Sequence, residues 1–227
     1  AEVLSLLACF QVVDGYLGTV ITQTITFAAD EFKRGNTAQG ATLAMVRIGV
    51  LIALIVVVLA DKKGRRKLLL STAILAIATT TLGALSPGIW FLGSSQLIAR
   101  GLTTGLGILV GVFAAEELPK GSRAYGVSIL TLAAALGAGM AVWILPVADL
   151  GEKGWRVIYL VPILFLPGLI AAWLRLPESR RFIANQKPDS FSPRTTQISS
   201  TPRRSRHNEK QRLLLLAATA FLLLVFA

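Results

Sequence analysis

The sequence predicts an all-α polytopic membrane protein, and three observations point there. The chain is 54% hydrophobic over 227 residues, more apolar than an ordinary soluble domain. Its apolar residues gather into runs that can cross a bilayer, which takes about 20 residues at ~1.5 Å rise each. These runs are 3–25, 40–60, 68–86, 89–114, 124–148 and 157–175, with a seventh starting at Leu213. The basic residues, finally, alternate with the spans. Loops after even-numbered spans hold 17 Lys and Arg, whereas loops after odd-numbered spans hold 4, namely Lys33, Arg34, Lys153 and Arg156. That bias places the even loops and both ends in the cytoplasm. The net charge of +11 is then a topology signal with attraction to anionic lipid as a by-product, and no nucleic-acid partner is expected.

The first run carries Gln11, Asp14, Tyr16, Thr19 and Gln23 in an otherwise apolar helix. It is too long for a signal-peptide core, has an acid in its middle and lacks a basic start, so it is not a targeting segment. Asp14 lies about eleven residues from the inner end, ~16 Å deep. A charge at that depth is costly and normally faces a cavity or a partner. Cys9 is the single cysteine, which excludes an internal disulfide and suits a small packing residue. The second run holds Arg47, about 10 Å below the outer surface. It lines an outer cavity or snorkels to headgroups.

Between the second and third runs lies Asp61-Lys62-Lys63-Gly64-Arg65-Arg66-Lys67, a tight basic turn that forces an antiparallel hairpin. The third run has Thr79, Thr80 and Thr81, which in a membrane helix bond back to their own backbone. In the fourth run Arg100 lies about eleven residues from the outer end, matching Asp14 in depth. An arginine stays charged at any depth and needs an anion nearby, and Asp14 is the midplane acid available. Gly101/Gly105 and Gly107/Gly111 are each four apart, a spacing that lets helices approach closely. The fifth run is rich in Gly and Ala and should pack tightly. Trp90, Trp143, Trp155 and Trp173 lie near span ends, where an aromatic belt is expected. Residues 184–211 are polar and basic and read as a cytoplasmic linker. The expected division is 1–183 as a six-helix bundle, 184–211 as linker and 212–227 as the start of a seventh helix. The chain has no initiator Met and begins and ends inside apolar runs, so it is expected to be a piece of a longer protein.

Several stretches resemble one family. Leu59-Ala60-Asp61 followed by Gly64-Arg65-Arg66 resembles the loop between the second and third spans of the major facilitator superfamily, with Val57 where the family usually has glycine. Asp14-Gly15-Tyr16 is similar to the first-span motif of its proton-coupled aromatic-acid and metabolite symporters, with Leu17 in place of a second acid. Arg100-Gly101, then Gly105 and Gly107, resembles the fourth-span motif. Glu116, Pro119 and Arg123 match the pattern of sugar porters at the end of span four. Pro177-Glu178-Ser179-Arg180-Arg181-Phe182 resembles the sugar-porter signature at the end of span six, with Arg180 replacing a proline.

The resemblance implies the N-terminal half of a twelve-span fold, with spans 1–3 and 4–6 as inverted copies and the second half of the chain as partner. It implies a secondary transporter in the plasma membrane that moves a small organic solute by alternating access, with protons as co-substrate. The alternatives are an uncoupled facilitator and a solute sensor of the same fold. Asp14 and Arg100 would form the coupling pair, and Gln11, Tyr16, Gln23, Gln96 and Arg100 would contact substrate. Asp61, Gly64, Arg65, Arg66, Glu116, Arg123, Glu178 and Arg181 would gate the inner face. No metal-ligand spacing, phosphate-cradling loop or nucleophile with a base is present. His207 is the one histidine and falls in the linker, so no enzyme activity and no cofactor are expected.

Overall fold

Helix is what this chain must adopt if its apolar runs are to satisfy their own backbone groups inside lipid. A computed structural model describes residues 2–63 and 65–175; the side chains of residues 2, 61–63, 65 and 120 are outside the described set, as are Gly64 and everything from 176 on. Among the described residues every regular element is helical: α1 Glu2–Glu31, α2 Asn36–Ile48, α3 Val50–Lys63, α4 Arg65–Leu82, α5 Ile89–Glu117, α6 Arg123–Trp143, α7 Gly154–Ile158 and α8 Leu166–Arg175, with short 3₁₀ turns between several of them. Six segments are long and apolar enough to cross a membrane: Val3–Glu31, Asn36–Ala60, Arg66–Leu85, Ile89–Glu117, Arg123–Leu150 and Gly154–Arg175, called spans 1 to 6 below. They belong to one compact unit, Ala1–Pro188.

The six predicted spans that fall among the described residues are found, with three differences, while the seventh, from Leu213, lies outside them. Span 1 continues six residues past Ile25, because polar Thr26, Asp30 and Glu31 still fit its helical faces. It stops where Lys33 turns to φ 51°. There Arg34 N–H bonds Ala29 O at 2.8 Å and Lys33 N–H bonds Asp30 O at 3.1 Å, which closes the last turn. Span 2 is broken at Gly49 between α2 and α3. Span 6 is three pieces, because Pro162 starts a 3₁₀ turn at Val161–Phe165 and proline lacks the N–H that would continue the α-helix.

Spans 1 and 4 form the centre. Span 1 packs along span 5 and span 4, while span 4 packs along spans 2 and 3. Two backbone-to-backbone crossings hold this centre. A Cβ on Gly15 would collide with the Ala134 carbonyl, and one on Gly137 with the Val12 carbonyl, so spans 1 and 5 touch through bare backbone. A Cβ on Gly49 would collide with the Leu97 carbonyl, and one on Gly101 with the Gly49 carbonyl, so spans 2 and 4 do the same. Gly105 continues that contact onto Val56 at 2.9 Å. The expected Gly101/Gly105 pair therefore acts as a packing face. Gly107 and Gly111 do not: Gly107 faces Asp14, and nothing stands near Gly111.

Of the four tryptophans, Trp143 (85% exposed) and Trp90 (54%) point outward as belt residues should. Trp155 does not belong to a belt. It is fully buried, edge-on to Tyr159 and Phe32, and donates Nε1–H to Glu31 Oε2 at 2.6 Å. Its position near a span end misled the expectation, since span 6 starts at Gly154 and the indole turns inward to find that carboxylate. Trp173 is half-buried against Arg66.

Candidate functional site

Span 1 brings Asp14, Gly15, Gly18 and Thr19 to one face, at the i, i+4 spacing that aligns side chains along a helix. Span 4 brings Arg100, Thr103 and Thr104 by the same rule, and span 5 brings Thr131, Ala134, Ala135 and Ala138. Together they line an open cleft of about 430 Å³. Its walls are small or hydroxyl-bearing, with one carboxylate and one guanidinium as the charged groups.

The two charges do not pair directly as expected. Each reaches across to the other's helix instead. The Arg100 guanidinium donates Nη1–H to Gly18 O of span 1 at 2.9 Å. The Asp14 carboxylate lies over Gly107 of span 4, where a Cβ would stand 3.0 Å from Oδ2, and accepts Gln11 Nε2–H at 3.2 Å. Glycine at 18 and 107 gives each long arm its landing place; a Cβ on Gly18 would stand 3.3 Å from Arg100 Nη1. Arg100 can take a helix carbonyl because a C=O has two lone pairs and the i→i−4 bond uses one. A carboxylate has no such donor on a helix interior, so Asp14 relies on an amide from its own turn.

Thr103 and Thr104 both donate their hydroxyls to Arg100 O, at 3.0 and 2.9 Å, Thr19 donates to Gly15 O at 2.8 Å, and Thr131 to Val127 O at 3.0 Å. Each hydroxyl proton is committed to backbone, which leaves the oxygen lone pairs as acceptors toward the cleft. The wall thus offers acceptors from threonine, the Asp14 carboxylate and the donors of Arg100. Such a mixture suits a hydroxylated solute. Thr103, Thr104, Thr131 and Gly18 were not anticipated as site residues. For Thr103, Thr104 and Gly18 the signal was the i+3 or i+4 spacing from Arg100 or Asp14, hidden because threonine and glycine are common in membrane helices for packing alone; Thr131, on span 5, had no such signal.

Four expected substrate contacts are placed differently from one another. Gln11 serves Asp14 and does not line the cleft. Gln23 is partly exposed, one turn beyond Thr19 and outside the cleft lining. Tyr16 and Gln96 are buried between helices, away from the cleft lining. Tyr16 is fully buried; its hydroxyl donates to Ile158 O at 2.8 Å and its ring meets Phe165 edge-on. With Thr24 and Tyr159, whose hydroxyls are 2.8 Å apart, it fastens span 1 to span 6. Gln96 is 2% exposed and donates Nε2–H to Thr80 O at 3.3 Å, fastening span 4 to span 3. Both are polar side chains that bond across helices, a use that residue type alone does not separate from substrate contact.

The expected gate is only partly visible. Gly64, Glu178 and Arg181, and the side chains of Asp61 and Arg65, lie outside the described residues. Arg123 donates Nε–H to Leu118 O at 3.3 Å, and Glu116 is partly exposed at the end of span 4. Arg66 is packed on span 6: its guanidinium lies 4.8 Å from the Trp173 ring centre and donates to Trp173 O at 3.1 Å.

The cleft lies between spans 1, 4 and 5 and is open on one side. The chain is similar to the xylose transporter of E. coli in a partially occluded inward-open state, with TM-score 0.71, 18% identity and coverage of 81% of this chain and 51% of that one. It is similar to a D-xylose-proton symporter with TM-score 0.68, 20% identity and coverage of 81% and 49%. In sequence it is 32% identical over 176 residues to the D-xylose transporter of Levilactobacillus brevis, covering 74% of this chain and 37% of that protein. It is 29% identical over 184 residues to the arabinose-proton symporter of Bacillus subtilis (strain 168), covering 75% and 38%. The chain thus spans well under half the length of these two relatives. Residues 5–213 match the family model described as sugar (and other) transporter. With six membrane-length helices, the inverted pair of backbone crossings and this match over most of its length, the chain belongs to the sugar (and other) transporter family, whose members are transporters rather than enzymes, and carries the N-terminal half of the major facilitator fold.

Proposed function

We propose that this bundle is one half of a secondary transporter for a sugar or closely related metabolite, working by alternating access with a second six-helix half closing the cleft. The basic face would be cytoplasmic and the membrane the plasma membrane. The observation that carries the reading is the open cleft with one carboxylate and one guanidinium, each on the first helix of its three-helix unit and each leaning on the other's helix. Cleft and crossing together make a mid-membrane polar surface that lipid would not tolerate, so it calls for a cover and a polar occupant.

Asp14 is the residue proposed to carry the proton. Its carboxylate is held by Gln11 and not by Arg100, so protonation would not have to break a salt bridge. It would instead remove a negative charge from the cleft and leave Arg100, anchored on Gly18 O, as a fixed donor to substrate oxygens. That same anchoring favours a second reading, an uncoupled facilitator, because Arg100 is satisfied by backbone whether Asp14 is charged or not. Accumulation separates the two. D-xylose and arabinose, the sugars in the relatives' names, are the first substrates to try in liposomes holding the full transporter. Uptake above the external concentration under an inward proton gradient, abolished by a protonophore, supports coupling. Equilibration without accumulation supports the facilitator, and absence of flux with substrate binding retained would overturn transport in favour of a sensor.

A further inference from the structure

We propose that Arg66 and Arg156 are two copies of one device, a guanidinium clamp that ties the start of one repeat's third span to the end of the other's. The sequence shows the parallel once the fold is known. Gly64-Arg65-Arg66 opens span 3 and Gly154-Trp155-Arg156 opens span 6, and under the inverted repeat spans 3 and 6 are counterparts. Each guanidinium sits on an indole, Arg66 4.8 Å from the Trp173 centre and Arg156 5.0 Å from the Trp155 centre. Each also donates to carbonyls at the end of the opposite span: Arg66 to Trp173 O at 3.1 Å, Arg156 to Ala84 O at 2.7 Å and Ser86 O at 2.9 Å. The last carbonyls of a helix have no partner in their own ladder and carry the negative end of its dipole. A planar cation with several fixed donors is the side chain that answers both needs. Spans 3 and 6 are therefore locked head to tail at the two membrane faces.

The copies differ in two respects. The indole under Arg66 comes from the opposite span, whereas the one under Arg156 comes from its own. The Arg156 clamp takes in span 1. Its fork meets Glu31 through Nη2–Oε1 at 2.8 Å and Nε–Oε2 at 3.2 Å, and the same Oε2 accepts Trp155 Nε1–H at 2.6 Å. The Arg66 contacts given above are to span 6. Glu31 and Arg156 are thus positioning residues for the helix that carries Asp14.

Hydrogen–deuterium exchange by segment, on the chain reconstituted in nanodiscs, tests this. Arg156→Gln should speed exchange about tenfold, as loss of a charge-assisted bond would, in both Ile25–Glu31 and Gly83–Ser86, with Ile170–Arg175 unchanged. Glu31→Gln, whose amide oxygen still accepts from Trp155, should loosen Ile25–Glu31 alone. Arg66→Gln should loosen Ile170–Arg175 and leave Ile25–Glu31, at the opposite ends of the spans, unchanged. Arg156→Lys should restore protection at Ile25–Glu31 but not at Gly83–Ser86, because one ammonium keeps the charge for Glu31 but not the fork. If Arg156→Gln does not insert, the Glu31→Gln and Arg66→Gln pair carries the test by itself. All segments loosening together in these variants, or none loosening, overturns the clamp.

Discussion

The two three-helix units of this bundle share a scaffold and differ in their chemistry. Span 1 crosses span 5 at Gly15 and Gly137, and span 4 crosses span 2 at Gly101 and Gly49; under the inverted repeat these are the same crossing made twice. At each, the residue just before the glycine of the central helix is charged: Asp14 before Gly15, Arg100 before Gly101. The backbone has to come close at those points, and the charges sit beside them. Scaffold symmetry thus delivers two opposite charges to one cleft, and the sequence differs between repeats only in which charge it places there. The lesson is that close packing and site placement are one event in this fold.

The largest expected effect comes from breaking one crossing. Gly15→Leu and Gly101→Leu each drive a side chain into a facing carbonyl and should cost about 3 kcal/mol or more, read as loss of monodisperse protein in detergent or a collapsed thermal transition. Gly139→Leu in span 5 and Gly111→Leu in span 4, where nothing stands within 4 Å, should leave the transition nearly unmoved. If the two crossings respond very differently, they are not equivalent.

Next come the charges. Arg100→Lys keeps the charge but loses the fork that holds Gly18 O, and under the proposed transport function should weaken sugar binding and flux by about tenfold or more, the effect of losing ~1.4 kcal/mol. Asp14→Asn keeps the shape and the bond to Gln11. Under the coupled reading it should still exchange sugar across liposomes while losing accumulation driven by a proton gradient. Accumulation that survives in Asp14→Asn would remove Asp14 from the coupling role.

Smaller effects test the interhelical bonds. Trp155→Phe loses the bond to Glu31 and should destabilise by about 1–3 kcal/mol. Tyr16→Phe loses one neutral buried bond, to Ile158 O, and should cost about 1 kcal/mol with no change in KM; a raised KM would return Tyr16 to the substrate. Smallest of all, Trp143→Phe at an outward-pointing site should stay within about 0.5 kcal/mol.

The sequence by itself determined the class and the six spans found among the described residues. Bilayer thickness sets a length of about 20 apolar residues, and the 17-to-4 distribution of basic residues supplies the orientation that is proposed. By constant helical rise it also predicts Asp14 and Arg100 at similar depth, whereas Asp14 faces Gly107 and Arg100 reaches Gly18, about a turn apart along span 1. What it left open was azimuth, meaning which face of each helix turns toward which neighbour. Tyr16 is two residues from Asp14 and so about 200° around the helix, which carries it away from the cleft and onto span 6. Gln96 is four residues from Arg100, on a similar face but a turn away, where Thr80 rather than the cleft meets it. Arg156 looked like one more loop charge until the fold brought Glu31, Ala84 and Ser86 around it from 70 or more residues away. Depth and periodicity are local properties of one helix and are written in its sequence, whereas partnership depends on how helices cross. Here the crossings are set by backbone contact at a few glycines, and only the tertiary structure decides which glycines meet.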